Sequence, residues 1–189
     1  MEQRFEQFLT ELTSAIVNRY GASIYCLVVY GSFATGKAKP GSDLDMLLQL
    51  KDGIPKARVG GINNLLRQIE KKYSLEVSWT LRVPILRHIH PPIIIFAYHD
   101  IDWHQLVFHN ANLFWTIALS TASKSLFFQG IKSSGKVLYG ADVLKRIQAT
   151  VSFSDRFLSW LAYPIYRTGK TTTRMFYQYI IRGKNTDKT

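Results

Sequence analysis

Gly31-Ser32-Phe33-Ala34-Thr35-Gly36-Lys37-Ala38-Lys39-Pro40-Gly41-Ser42-Asp43-Leu44-Asp45 is the stretch that decides the fold of this chain. An apolar run, Ile24 to Tyr30, leads into the Gly31-Ser32 pair, and a second, Met46 to Leu50, follows Asp45. Short apolar runs bounded by turn residues read as strands, so the spacing predicts strand, turn and strand over 23–30 and 43–50. Residues two apart on a strand share a face and lie roughly 6.6 Å apart along it. Asp43 and Asp45 then present two carboxylates to one side, hard donors of the kind that share divalent cations. Glycine at 31 lets the backbone approach a phosphate closely, and amides opening a short helix favour the anion. Ser32, Ser42, Lys37 and Lys39 are candidates for further contacts to a triphosphate. Either half alone is ordinary turn chemistry. Both halves at one spacing, between two strands, give the motif its content.

A two-metal site of this kind calls for a third acid from a neighbouring strand. The candidate is Glu76, within Tyr73-Ser74-Leu75-Glu76-Val77-Ser78-Trp79-Thr80-Leu81. Alternation there predicts a strand over 74–82, with Leu75, Val77 and Trp79 on one face and Glu76, Ser78 and Thr80 on the other. Asp100 and Asp102 are rivals, read as a hairpin turn. The five histidines (His88, His90, His99, His104, His109) lack the helical spacing and cysteine partners of a zinc site and read as half-exposed strand residues.

Elsewhere the chain alternates helical and extended patterns. Phe5, Phe8, Leu9, Leu12, Ile16 and Val17 share one helical face over residues 2–20, and Gly21 ends that helix. A helix is expected over 57–72, a strand from Pro91-Pro92 to Tyr98, then a turn into 103–109. Packed helices are expected over 112–120 and 123–133. A mixed β-sheet flanked by helices follows from this order, an α+β or α/β core. The last forty residues combine Phe153, Phe157, Trp160, Tyr163, Tyr166, Phe176, Tyr177 and Tyr179 with a local charge balance of +5. They predict a helical C-terminal extension that Pro164 breaks or kinks. Its aromatic stripe is expected first as core, with base stacking and an anionic membrane surface as alternatives. Residues 183–189 are expected to be disordered.

The chain has 189 residues and 47% hydrophobic content, enough for one domain with a substantial core and a small appendage. Its net charge of +11 points towards nucleic acid, nucleotides or an anionic surface as partners. Cys26, the only cysteine, falls inside the first predicted strand and leaves no disulfide framework. With neither a signal-peptide pattern nor a run of about 20 apolar residues, a cytoplasmic location is expected.

The Gly-Ser and Asp-Leu-Asp pattern resembles the signature of the DNA polymerase β-type nucleotidyltransferase superfamily. Ile131 to Gly140, ending Val-Leu-Tyr-Gly, is similar to a segment of small nucleotidyltransferases, including aminoglycoside-modifying ones. The resemblance spans roughly 10–145, so 1–145 is expected to be the nucleotidyltransferase domain and 146–189 a basic, aromatic extension. It implies a nucleoside triphosphate substrate and Mg2+ or Mn2+ held by Asp43, Asp45 and Glu76. A nucleoside monophosphate would pass to a hydroxyl on a partner protein, an RNA or a small molecule. The rival reading is a nucleotide- or RNA-binding module of the same fold without activity. Phe33 and Thr35 stand where basic residues often follow the Gly-Ser pair, which shifts phosphate binding to Lys37 and Lys39.

Overall fold

Two strands flank the signature. Strand β1 (Ile24–Tyr30) is apolar on both faces, with Cys26, Leu27, Val28 and Val29 fully buried, as a strand covered on both sides requires. Strand β2 (Asp45–Leu50) pairs antiparallel with it, from Ile24 opposite Leu50 to Tyr30 opposite Asp45. The computed structural model describes residues 2–82, 91–110 and 123–186. In chain order the remaining elements are helix α1 (Glu2–Tyr20), helix α2 (Gly31–Ala34), helix α3 (Ile62–Lys72), strand β3 (Ile93–Phe96), a small hairpin of β4 (Ile101–Asp102) and β5 (Val107–Phe108), helix α4 (Lys124–Ser134), strand β6 (Lys136–Gly140) and helix α5 (Phe153–Thr186).

The main sheet has the order β3-β2-β1-β6, with β2 and β3 parallel and the other pairs antiparallel. Because side chains alternate across a strand, the sheet has two cores. On one face Val29, Met46 and Leu48 pack with Phe8, Leu12 and Ile16 of α1 and Leu66 of α3. On the other, Val28, Leu47 and Phe96 pack with Phe127, Phe128 and Ile131 of α4. Gln49 is the polar exception, buried and satisfied: its Oε1 accepts from Trp103 Nε1 (2.7 Å) and its Nε2 donates to the Tyr98 carbonyl (2.9 Å). Cys26 lies beside it, and burial pushes its thiol up to about 12. The mixed sheet between helices is the α+β architecture expected from the order of elements. No helix among the described residues is long and apolar enough to cross a membrane.

Three expectations need correction. The strand over 74–82 does not form; residues 73–78 are loop and turn, and Trp79–Arg82 is a 3-10 turn. Ser74 takes a left-handed conformation (φ 47°), the Leu75 N–H returns to the Glu70 carbonyl, and the Glu70 carboxylate takes the Ser78 N–H. The amides a ladder needs are spent locally, while the edge of β2 is taken by β3. Pro164 does not end α5, which runs on to Thr186 and so includes part of the tail expected to be disordered. Pro164 lies inside the helix at an exposed position. Finally, the aromatic stripe of α5 is not core: Phe153, Phe157 and Trp160 are all more than half exposed. The helix expected over 112–120, together with His88 and His90, lies outside the described residues.

Candidate active site

Leu44 organises the site by being buried. Its side chain is fully enclosed in the α1/α3 core, and its N–H donates to the Val77 carbonyl (3.2 Å). The two residues that flank it, Asp43 and Asp45, are turned the other way and are half-buried. Asp43 stands just before β2 and Asp45 is its first residue.

The Gly-Ser turn meets this pair directly. Gly31 has φ +69°, a left-handed conformation, and a Cβ built on it would stand 3.0 Å from Asp45 Oδ2. Glycine is therefore required twice over, by conformation and by the nearness of the carboxylate. The Gly31 N–H is already used, donating to Ser134 Oγ at the end of α4 (3.2 Å). The turn then closes on itself: Thr35 N–H donates to the Gly31 carbonyl and Lys37 N–H to the Ser32 carbonyl. Ser32 is half-buried, whereas Lys37 and Lys39 are exposed on the same loop. Ser42 builds the turn before Asp43, its Oγ accepting from the Lys39 N–H (2.9 Å).

Asp43 is held from the side. The Trp79 indole N–H donates to Asp43 Oδ1, and the Trp79 ring is itself buried. Behind it, Ser78 Oγ donates to Glu70 Oε2 (2.5 Å), so a buried carboxylate anchors the loop that carries the tryptophan. Over the ring lies the guanidinium of Arg174 from α5, 5.4 Å from the ring centroid. The same guanidinium donates to the Gly41 carbonyl (2.5 Å), and a Cβ at Gly41 (φ +90°) would meet its Nη2 at 2.8 Å. An arginine 133 residues further along the chain thus caps the turn that delivers Asp43.

Glu76 is not gathered with the aspartates. Its carboxylate is 56% exposed, lies 3.8 Å from Arg82, and lines a cavity of about 210 Å³ with Arg4, Gly41 and Arg174. Among the described residues no group of three or more His, Cys, Asp or Glu side chains could hold a metal ion. The rival acids serve other ends. Asp100 pairs with Lys56 (2.5 Å), and Asp102 accepts the N–H groups of His104 and Gln105 in the turn between β4 and β5. His99, His104 and His109 line a separate open cavity of about 470 Å³ with Tyr25, Tyr98 and Arg146.

Trp79, Glu70, Arg174 and Ser134 were missed as site residues. Glu70 alone had a sequence signal: it stands four after Leu66, on the apolar stripe of α3, where a carboxylate needs a partner.

Residues 9–102 match the family of nucleotidyltransferase domains. The chain carries a nucleotidyltransferase domain. The matched residues contain the whole signature and both aspartates, while α4, β6 and α5 lie beyond them. No curated protein matches the chain in sequence. Among solved structures, neighbours include a toxin–antitoxin crystal structure with AMP-PNP, at 11% identity and TM-score 0.33, covering 89% of this chain and 98% of that one. Another is a tri-AMPylated HEPN toxin with MNT antitoxin from Shewanella oneidensis, at 9% identity and TM-score 0.31, covering 96% and 99%. A third is the toxin–antitoxin MntA-HepT, at 10% identity and TM-score 0.29, covering 91% and 98%. Likeness at these values bears on neither substrate nor partner.

Proposed function

We propose that the chain transfers a nucleoside monophosphate from a nucleoside triphosphate to a hydroxyl acceptor, releasing pyrophosphate. One observation carries this reading: the Gly31-Ser32 turn abuts the Asp45 carboxylate, with room for no side chain at Gly31. A phosphate-binding turn and a pair of carboxylates in contact are the two halves such a transfer needs.

The donor set fits a divalent cation, because Asp43 and Asp45 offer the carboxylate oxygens that Mg2+ and Mn2+ prefer. When bound, the metal supplies neutralisation of phosphate charge and alignment of the reacting oxygens. The chain's own residues bind and orient. Ser32, Lys37 and Lys39 receive the β- and γ-phosphates, and Trp79 fixes the rotation of Asp43 by holding Oδ1. The acceptor hydroxyl gives up its proton to solvent as its oxygen attacks the α-phosphorus, the bond to the bridging oxygen breaks, and pyrophosphate leaves with that electron pair.

The acceptor is a hydroxyl of a partner protein, an RNA or a small molecule. The net charge of +11 favours a polyanionic acceptor over a cationic one. Incubation with each α-labelled triphosphate, Mg2+ or Mn2+ and cell lysate tests the proposal and sorts these classes by where the label lands. Full transfer by an Asp43→Asn, Asp45→Asn double variant would sink it. A second reading, a nucleotide-binding module without transfer, draws on the lack of a third acid beside the pair among the described residues. Nucleotide binding without label on any acceptor would favour that reading.

A further inference from the structure

Helix α5 is amphipathic in the wrong sense for a helix that belongs only to its own domain. Projected at 100° per residue, Phe153, Phe157, Leu158, Trp160, Leu161 and Ile165 fall within an arc of about 160°. All six are more than half exposed, with Phe153 at 84%, Trp160 at 71% and Ile165 at 72%. Met175, Phe176 and Tyr179 return to the same arc nearly three turns further on, past exposed Thr168, Thr171 and Thr172, and are equally exposed. The half-buried positions, Asp155, Ser159, Ala162, Thr173 and Arg174, are on the opposite side. There Asp155 accepts from Ser123 Oγ (2.7 Å) and Arg174 reaches Gly41. The helix is tethered to the body through Asp155 and Arg174 and turns this apolar arc outward. An exposed apolar cluster such as that from Phe153 to Ile165 marks an interaction site.

Charge selects the occupant. From Phe153 to Thr186 the helix carries six basic residues, Arg156, Arg167, Lys170, Arg174, Arg182 and Lys184, against the single acid Asp155, and Asp155 is turned inward. Arg156 and Arg167 are exposed and border the apolar arc. A second copy would bring one cationic helix against another, with no exposed acid on either to answer it. A two-helix seam also wants a narrow stripe, not a broad arc led by Phe and Trp. Single-stranded nucleic acid would stack on rings, yet Leu158, Leu161 and Ile165 share the arc and have no π face to offer. A broad arc of Phe, Leu, Ile and Trp bordered by arginine matches a lipid headgroup region with negative charge.

We propose that α5 docks on an anionic membrane surface, its apolar arc in the headgroup and acyl boundary and its arginines among the phosphates. The full chain is to be sedimented with vesicles of phosphatidylcholine alone and of an equal mixture with phosphatidylserine. Binding to the mixed vesicles is expected, weakening as salt is added and falling about tenfold or more in a Phe157→Ser, Trp160→Ser double variant. Both positions are exposed, so circular dichroism of this variant should match the parent. Arg167→Gln provides an independent arm, expected to weaken binding to the mixed vesicles by several-fold. Absence of binding to either vesicle overturns the proposal, and so does equal binding to both. A concentration-dependent dimer abolished by Trp160→Ser, without vesicle binding, overturns it in favour of a second copy. Retention of a single-stranded RNA probe, lost in the double variant and again without vesicle binding, overturns it in favour of nucleic acid.

Discussion

Strand β2 and helix α5 solve the burial of apolar side chains in opposite ways. In β2 every residue after Asp45 is buried, and the acids at its start are the part left accessible. In α5 Asp155 and Arg174 reach the body, while Phe153, Phe157, Trp160 and Ile165 are left exposed. Burial in β2 is therefore satisfied within the chain, whereas the apolar arc of α5 stays exposed in it. The contrast teaches that the sheet closes its two cores with α1, α3 and α4, and that the apolar arc of α5 is not needed to close either.

The sharpest way to break this comparison is to strike the accessible end of β2. Asp43→Asn with Asp45→Asn is expected to reduce single-turnover transfer on the order of 10³-fold while leaving the thermal midpoint nearly unchanged. A large fall in the midpoint instead would make the pair structural. Truncation inside the two regions comes next. Leu48→Ala, in the core, is expected to cost about 2–5 kcal/mol in denaturant unfolding. Leu158→Ala, on α5, should stay within about 0.5 kcal/mol. Equal costs would mean that the outer face of α5 is covered in the isolated protein.

The link between the regions can be probed more gently. Trp79→Phe keeps a ring beneath Arg174 but deletes the N–H that holds Asp43, so transfer at saturating metal should fall about tenfold. Arg174→Ala should lower it several-fold, with Arg174→Lys restoring part of the loss through the hydrogen bond to Gly41. The smallest effect concerns pH. Hydrogen bonds from Ser123 and then Ser152 hold the Asp155 carboxyl below its ordinary value of 3.8. A carboxylate depressed on folding adds stability above that value and loses it as the pH falls through the lowered one. Hydrogen exchange in the first turns of α5 should therefore quicken in that acid window before the core does.

Periodicity made much of the domain readable in advance. The stripe Phe5, Phe8, Leu12 and Ile16 marks α1, and the runs after Gly21 and Ser42 mark β1 and β2, because burial at these places follows local spacing. The placement of Asp43 and Asp45 at the entry to β2 was legible for the same reason. Where the outcome depended on distant residues, spacing misled. The alternation of Leu75, Val77 and Trp79 looks like a strand, yet the Glu70 carboxylate claims Ser78 and β3 claims the edge of β2. Glu76 therefore leaves the site, and Trp79 enters it through its N–H. In α5 the amphipathic pattern was visible, but a helical wheel does not say which face meets the body. Asp155 and Arg174 decide that, through partners at Ser123 and Gly41 that lie far away in sequence.

Arg174 gives the molecule a lever. Its guanidinium touches both the carbonyl at Gly41 and the ring that steadies Asp43, while its backbone belongs to the helix whose far side meets the surroundings. An occupant of that far side that tilts or shifts the helix acts on the turn before the aspartates without touching them. Thermodynamic reciprocity then requires a triphosphate settling beside Asp45 to change the helix's hold on that occupant by the same factor. Docking and nucleotide occupancy become two readings of one equilibrium, joined through a single side chain.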